Sequence, residues 1–274
     1  MKIIIAPTDF STSSTSATHY AAHMAVELGA ALHLLHVYQV PVAVSDVPVV
    51  LVSVDQLKTN AEEQLVQLKT ELEQVTQSEI KITFEAVMGN TVDELEELCK
   101  KLKPFSVIMG SRGATGMERI LFGSTTLTAI RHLTWPVVVV PPGTIYNGIH
   151  KIGFACDFRK VIETTPTLYI KEFVKEFNAA FHVMNVDFQG KHFKAETPEE
   201  SLLLHTLLAD LNPQYHFIEA EDIEDGINKF AKENNLDLLI TIPKKHKLLE
   251  GLFKKSSTKQ LVFQSHVPVM CVHE

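Results

Sequence analysis

VIMGSRGATGMERILFGSTT, Val107 to Thr126, reads as the end of a buried strand, a glycine-rich turn, a short amphipathic piece, and a second turn that opens a helix. Gly110, Gly113 and Gly123 stand where a backbone has to come close to an anion. Glycine reaches positive φ and lacks the Cβ that would hold a ligand away, so N–H groups near it can converge on a phosphate. Gly123-Ser124 starts a helical pattern running towards His132, whose first N–H groups have no intrahelical partner and whose dipole favours negative charge. The hydroxyls of Ser124, Thr125 and Thr126 add donors. No Gly-Lys-Ser/Thr closes a Walker loop, and no GxGxxG follows a strand. The spacing is instead Gly-x2-Gly-x9-Gly-Ser.

Outward from this stretch, short apolar runs alternate with helical patterns. Lys2 to Ala6 reads as a first strand ending at Pro7-Thr8-Asp9, and Ser11 to Ser14 offer caps for a helix that Gly29 stops near Leu28. Ala30 to Tyr38 is a second strand. The stretch from Val40 to Val54 has no clear assignment. Leu57 to Val75 is a long helix, Ile80 to Ala86 a third strand, and Thr91 to Leu102 a helix with Leu95, Leu98 and Leu102 inward. Phe105 to Met109 gives a fourth strand, Ser124 to Leu133 the last helix, and Pro136 to Val140 a β-branched fifth strand. Strict alternation predicts an α/β fold, a doubly wound parallel sheet with its ligand site outside the carboxyl ends of the strands.

Pro141 to Gly148 is a short Pro/Gly-rich linker, after which the chain starts again. KIIIAPTDF at Lys2 returns as KIGFACDF at Lys151, AALHLLHV at Ala30 as AAFHVMNV at Ala179, and WPVVVV at Trp135 as VPVMCV at Val267. Three ordered matches on strands indicate an internal duplication, with domains at 1–144 and 149–274. The second copy differs at the loop. Its fourth strand, Leu236 to Ile242, runs into PKKHKLLEGLFKKSST, so Ile242, Lys245 and Lys255 face Gly110, Gly113 and Gly123. Pro243 removes a donor, and Lys244, Lys245, Lys247, Lys254 and Lys255 read as a solvated loop. One copy holds the glycines and one lacks them, which makes the three glycines read as ligand residues more than as requirements of the architecture.

With 274 residues, 45% of them hydrophobic, the chain is long for one α/β domain and suits two. A net charge of −8 argues against a nucleic-acid partner. Cys99, Cys156 and Cys271 are few, odd in number and far apart, so neither a disulfide framework nor a zinc site is expected. The first residues are too briefly apolar for a secretory segment, and no run approaches the roughly 18 apolar residues of a membrane span. A soluble, cytoplasmic protein without membrane contact is the expectation.

The glycine spacing, the PTD turn after the first strand and the His-Val pair, His36-Val37, resemble the universal stress protein family. The second half matches more weakly, through Asp157, the strand pattern and Ser256-Ser257-Thr258. The resemblance implies two tandem, Rossmann-like, five-stranded sheets of the adenine nucleotide alpha hydrolase type with helices on both faces. They would pack as an internal pseudo-dimer through the last strands, Val137 to Val140 beside Val269 to Val272. It implies ATP, or AMP or ADP, bound in the first domain with Mg²⁺. Adenine would lie at Val37 and ribose near Pro7, Thr8 and Asp9. The phosphates would lie against Met109, Gly110, Ser111, Gly113, Gly123, Ser124 and Thr125, with the charge of Arg112 within reach. The function implied is a nucleotide-dependent regulatory or signalling module of the stress response, with an unknown protein partner and room for a further homodimer. One nucleotide per chain is expected.

Two other functions stand beside it, a slow ATP hydrolase and a nucleotide-independent scaffold. Phosphoryl transfer needs a metal and a group that positions the nucleophile. The sequence offers Asp9 for the first and no base for the second, so no catalytic residue is expected. Asp9 also suits a helix cap. His33, His36 and His182 read as structural, and Cys156, standing where Pro7-Thr8 stood, as a small buried residue.

Overall fold

The computed structural model describes residues 1–40, 53–111, 123–188, 197–243, 261–262 and 264–273. Arg112, Gly113, the unassigned stretch at 41–52 and the lysine-rich loop at 244–260 lie outside the described residues. The chain divides into two compact units, Met1–His132 and Leu133–Glu274.

Among the described residues, the first unit holds four strands: β1 (Ile3–Pro7), β2 (Ala31–Tyr38), β3 (Ile82–Met88) and β4 (Ser106–Gly110). Their order is β3-β2-β1-β4, all parallel. Helices α1 (Thr12–Leu28), α2 (Val54–Val75), α3 (Thr91–Leu102) and α4 (Ser124–His132) connect and cover them. Ser11 caps α1, accepting the N–H of Ser14, and Gly29 ends it at φ 57°, a left-handed position that glycine occupies without steric cost. Asn90 caps α3 in the same manner. Ile4, Ile5, Leu32, Leu34, Leu65, Leu72 and Leu95 are fully buried between sheet and helices. A strand buried on both faces explains why β1 and β4 are continuous apolar runs with no alternation.

The second unit begins with β5 (Val137–Val140), which pairs antiparallel with β10 (Val269–Cys271), Val139 opposite Val269 and Val137 opposite Cys271. The final strands thus lie side by side, within this unit. The order continues β10-β9-β6-β7-β8 and is parallel from β10 on, with β6 (Lys151–Ala155), β7 (Ala180–Phe188), β8 (Gln214–Ala220) and β9 (Leu238–Thr241). The helices are α5 (Val161–Thr164), α6 (Thr167–Glu176), α7 (Thr197–Leu208) and α8 (Ile223–Glu233). Where the first unit has one 17-residue helix, the second has α5 and α6, separated at Thr165-Pro166. Proline has no N–H and disfavours helical geometry at the residue before it.

The hydrogen bonds fix the register between the copies, and it differs by one residue from the sequence match. Lys2 O accepts the N–H of Ala31, and His150 O accepts that of Ala180. Thr8 N–H donates to Leu35 O, and Cys156 N–H to Met184 O. His150 therefore corresponds to Lys2, and no gap is needed: Ala155 stands for Pro7, Cys156 for Thr8 alone, Asp157 for Asp9 and Phe158 for Phe10. Matching lysine to lysine is misleading because the apolar strand tolerates a shift of one when both its faces are buried. Among the described residues, no helix is long and apolar enough to cross a membrane.

Candidate functional site

All four strands of the first unit end on the same side, and there the N-termini of α1, α3 and α4 also lie. α3 carries Asp93 and Glu94 in its first turn, whereas α1 and α4 carry no acid there. The positive poles of α1 and α4 are thus left without a carboxylate in the first turn, the electrostatics an anion site requires.

β1 stops at Pro7, while β2 runs on to Tyr38. Leu35 turns its carbonyl towards β1, where Thr8 N–H meets it at 2.8 Å. Backbone polar groups alternate sides along a strand, so Val37, two residues on, turns its N–H and C=O the same way, past the end of β1 and level with Asp9. This is an open stretch of strand edge, presenting one donor and one acceptor.

The loop after β1 is braced from within. Thr8 is buried, and its Oγ1 accepts the N–H of Phe10 at 3.0 Å and lies 3.1 Å from Ser14 Oγ. His36 Nδ1 donates to Thr8 O at 2.7 Å. Both polar ends of Thr8 are therefore engaged by the loop itself. Exposed Asp9 accepts the N–H and the hydroxyl of Ser11 at 3.1 and 2.6 Å, so it holds the turn while Ser11 performs the capping. Phe10 sits at φ 58°, uncommon for a bulky side chain, with its ring 4.5 Å from that of His36. Neither this conformation nor the His36 bond leaves a mark in residue spacing. His36 Nδ1 serves the brace.

At the other wall, Met109, Gly110 and Ser111 are buried at the end of β4. Gly110 has a structural reason to be glycine: a Cβ there would lie 2.7 Å from Ser13 O and 2.7 Å from Ser13 Oγ. This corrects the inference that the glycines answer to a ligand more than to the architecture. At Gly110 the first turn of α1 fills the space a side chain would need. Ile242 occupies the corresponding place in the second unit, where α5 begins differently and the comparison that supported the inference fails.

Gly123 N–H donates to Ser111 O at 3.3 Å, and Gly123 O accepts Leu127 N–H, so Gly123 closes the loop as the residue that opens α4. Ser124 and Thr125 are exposed at the helix start. Thr126 turns inward instead, its hydroxyl donating to Gly110 O at 2.9 Å, and it clamps α4 to β4. Among the described residues, no group of three or more His, Cys, Asp or Glu side chains could hold a metal ion. None of the three cysteines is in a disulfide. Burial pushes the Cys99 thiol up to about 12 and raises that of Cys271, which leaves both unreactive.

The second unit repeats the brace and changes the helix start. Cys156 Sγ accepts the N–H of Phe158, itself at φ 49°, and Asn185, standing for His36, donates to Cys156 O at 2.9 Å. Serine caps are absent: Lys160 precedes α5 with no side-chain cap bond, and Val161 N–H donates to Glu200 Oε2 of α7 at 2.8 Å. A carboxylate of the chain thus already occupies the N-terminus of the helix that follows β6.

Comparison with known proteins agrees with this layout. A universal stress protein from Methanocaldococcus jannaschii is 33% identical over 142 residues, 51% of this chain and 81% of the relative. The crystal structure of a universal stress protein from Archaeoglobus fulgidus superposes with a TM-score of 0.72 at 21% identity, over 99% of this chain and 98% of the other. A protein from Pseudomonas aeruginosa described as functionally unknown superposes at 0.64 with 11% identity, over 99% and 92%. At these identities the two structures speak for the fold alone. The model of the universal stress protein family matches residues 1–141 and 170–273, most of both copies, and the chain belongs to that family.

Proposed function

We propose that the first unit binds ATP in the crevice where β1, β2 and β4 end, and that the chain works as a nucleotide-dependent regulatory module of the stress response. The observation that carries the reading is the edge at Val37, where β2 outruns β1 and offers one N–H and one C=O side by side. An adenine edge offers the complementary acceptor and donor. Beside it lie the N-termini of α1 and α4, with no acid in their first turns, and the exposed hydroxyls of Ser124 and Thr125, suited to phosphates. Asp9 lies level with Val37, between base and phosphates, where a ribose hydroxyl can reach its carboxylate. Arg112 and Gly113 complete the set by their place in the sequence.

The reading is of binding without turnover. Phosphoryl transfer needs a residue that positions the nucleophile, and Asp9 and His36 are the titratable side chains that the loop after β1 brings together. Asp9 is held by Ser11, and the Nδ1 of His36 by Thr8 O. Mg²⁺ would be held by the nucleotide, with Asp9 as a contact from the protein. The protein partner is one that distinguishes the occupied from the empty crevice.

Equilibrium binding of Mg-ATP to the purified chain, beside a Gly113→Val, Gly123→Val double variant of unchanged circular dichroism, tests the site. Binding by the wild type and at least a tenfold loss in the variant is the expected result. Equal binding by both proteins, or by neither, overturns the assignment.

A further inference from the structure

In the second unit, His182 of β7 and His216 of β8 face each other, Nδ1 of the first 3.0 Å from Nε2 of the second. Phe230 of α8 packs on both rings, with centroids 6.4 and 4.6 Å away. His182 is 7% exposed, and its Nε2 is buried with no hydrogen-bond partner. One hydrogen bond between two imidazoles holds one proton, with one ring donating and the other accepting. A bare buried acceptor costs less than an orphaned N–H, which makes His182 Nδ1–H the donor and His216 Nε2 the acceptor.

A proton added to this pair either lands on His182 Nε2, putting a buried N–H where no acceptor lies, or lands on His216 Nε2, turning the acceptor into a donor and breaking the bond, and a further one sets two cations 3.0 Å apart. A lysine on the neighbouring strand adds to the cost. β6 contributes Lys151, whose Nζ donates to Asn234 O of α8 at 2.9 Å. β8 contributes Gln214 and His216, and α8 contributes Phe230. Burial holds both imidazoles below their ordinary value, and the charges of His216 and Lys151 lower His182 further.

The first unit has the same histidine with a different partner. His33 Nδ1 lies 2.8 Å from Thr83 Oγ1, and its Nε2 lies 3.6 Å from Glu85 Oε1. His33 is paired with Thr83 across the ladder and His182 with Gln214, so Glu85 and His216 hold the same position. Burial lowers His33 too, but Glu85 opposes the shift, with Lys101 a smaller charge acting the other way. A proton arriving at His33 gains a carboxylate. One arriving at His182 meets another imidazole.

We propose that the His182–His216 pair is a proton-operated latch that holds β8 and α8 against β7 when neutral and releases them when it takes up a proton. The sign follows from linkage. The pair binds protons less readily folded than unfolded, so its contribution is fully present above the ordinary histidine value of about 6.5 and is lost as pH falls from there through the depressed folded values. β8 ends the strand order of its unit and is bonded to β7 alone, so its release uncovers the β7 edge.

Hydrogen exchange of the full chain, corrected for intrinsic rate, at pH 7.0 and 5.5 tests the latch. Opening of β8 and α8 should rise by about tenfold at pH 5.5, the effect of one pH unit on one proton taken up, while β2 and β3 change little. His216→Glu, which installs the first unit's arrangement, should abolish the rise. Unchanged opening in the wild type, or an undiminished rise in His216→Glu, overturns the proposal. Should that variant not fold, ring-proton NMR titration of the wild type decides: depressed titration of both rings supports the latch, and ordinary titration of both refutes it.

Discussion

The loops after β1 and β6 share a backbone and almost no chemistry. Thr8 Oγ1 and Cys156 Sγ each accept the N–H of an aromatic residue at positive φ, Phe10 or Phe158, and His36 or Asn185 donates to the carbonyl of the same residue. A hydroxyl gave way to a thiol and an imidazole to an amide, yet the bond pattern stayed. What changed is the helix that follows. Ser11 and Ser13-Ser14 begin a continuous α1 pressed against Gly110, whereas Arg159-Lys160 lead into a single turn whose first N–H is taken by Glu200. A fold can keep its loop brace through substitutions that preserve donors and acceptors, while the helix start beside it and the residue packed against that start change.

The comparison breaks hardest at Gly110. Gly110→Val should destabilise the first unit by about 2–3 kcal/mol, because the added atoms meet backbone at Ser13 rather than a flexible side chain. Urea unfolding checks it, and a loss under about 1 kcal/mol would restore the view that only a ligand demands this glycine. Next comes Glu200→Ala, which leaves Val161 N–H without its carboxylate. A loss of about 1.5–3 kcal/mol is expected for a charge-assisted bond, towards the lower figure because the site is only part-buried. The smallest effect sharpens the brace itself. His36→Leu should cost about 1 kcal/mol by leaving Thr8 O without that donor, and His36→Asn, the second unit's residue, should recover most of it in the same unfolding measurement.

Much of this was legible in the chain. The alternation of apolar runs and helical patterns placed β1 to β5 and α1 to α4 within a few residues, since strands buried on both faces and helices with one apolar face carry distinct periods. Gly29 as the stop of α1 and Ser11 among its caps followed from backbone chemistry alone. The copy-to-copy register did not, because an apolar strand gives no phase when both faces are buried. Nor did the reason for Gly110, which is the carbonyl of a residue 97 positions earlier in the chain. Thr126 stood in the run of hydroxyls offered to a ligand, and only the packing of α4 shows that it points inward. Pro166 was a readable sign that the second copy breaks its first helix.

By itself the sequence determined the fold class, the duplication and the family, because these rest on local periods and on motifs counted along the chain. Tertiary structure decided which polar groups remain for a ligand and which are consumed. Thr8, Thr126 and Gly123 bond within the protein, Val37 faces past a strand that has ended, and Glu200 takes the first N–H of α5. Hydrogen-bond capacity is a property of a residue, but whether it is already satisfied depends on neighbours that only folding brings together.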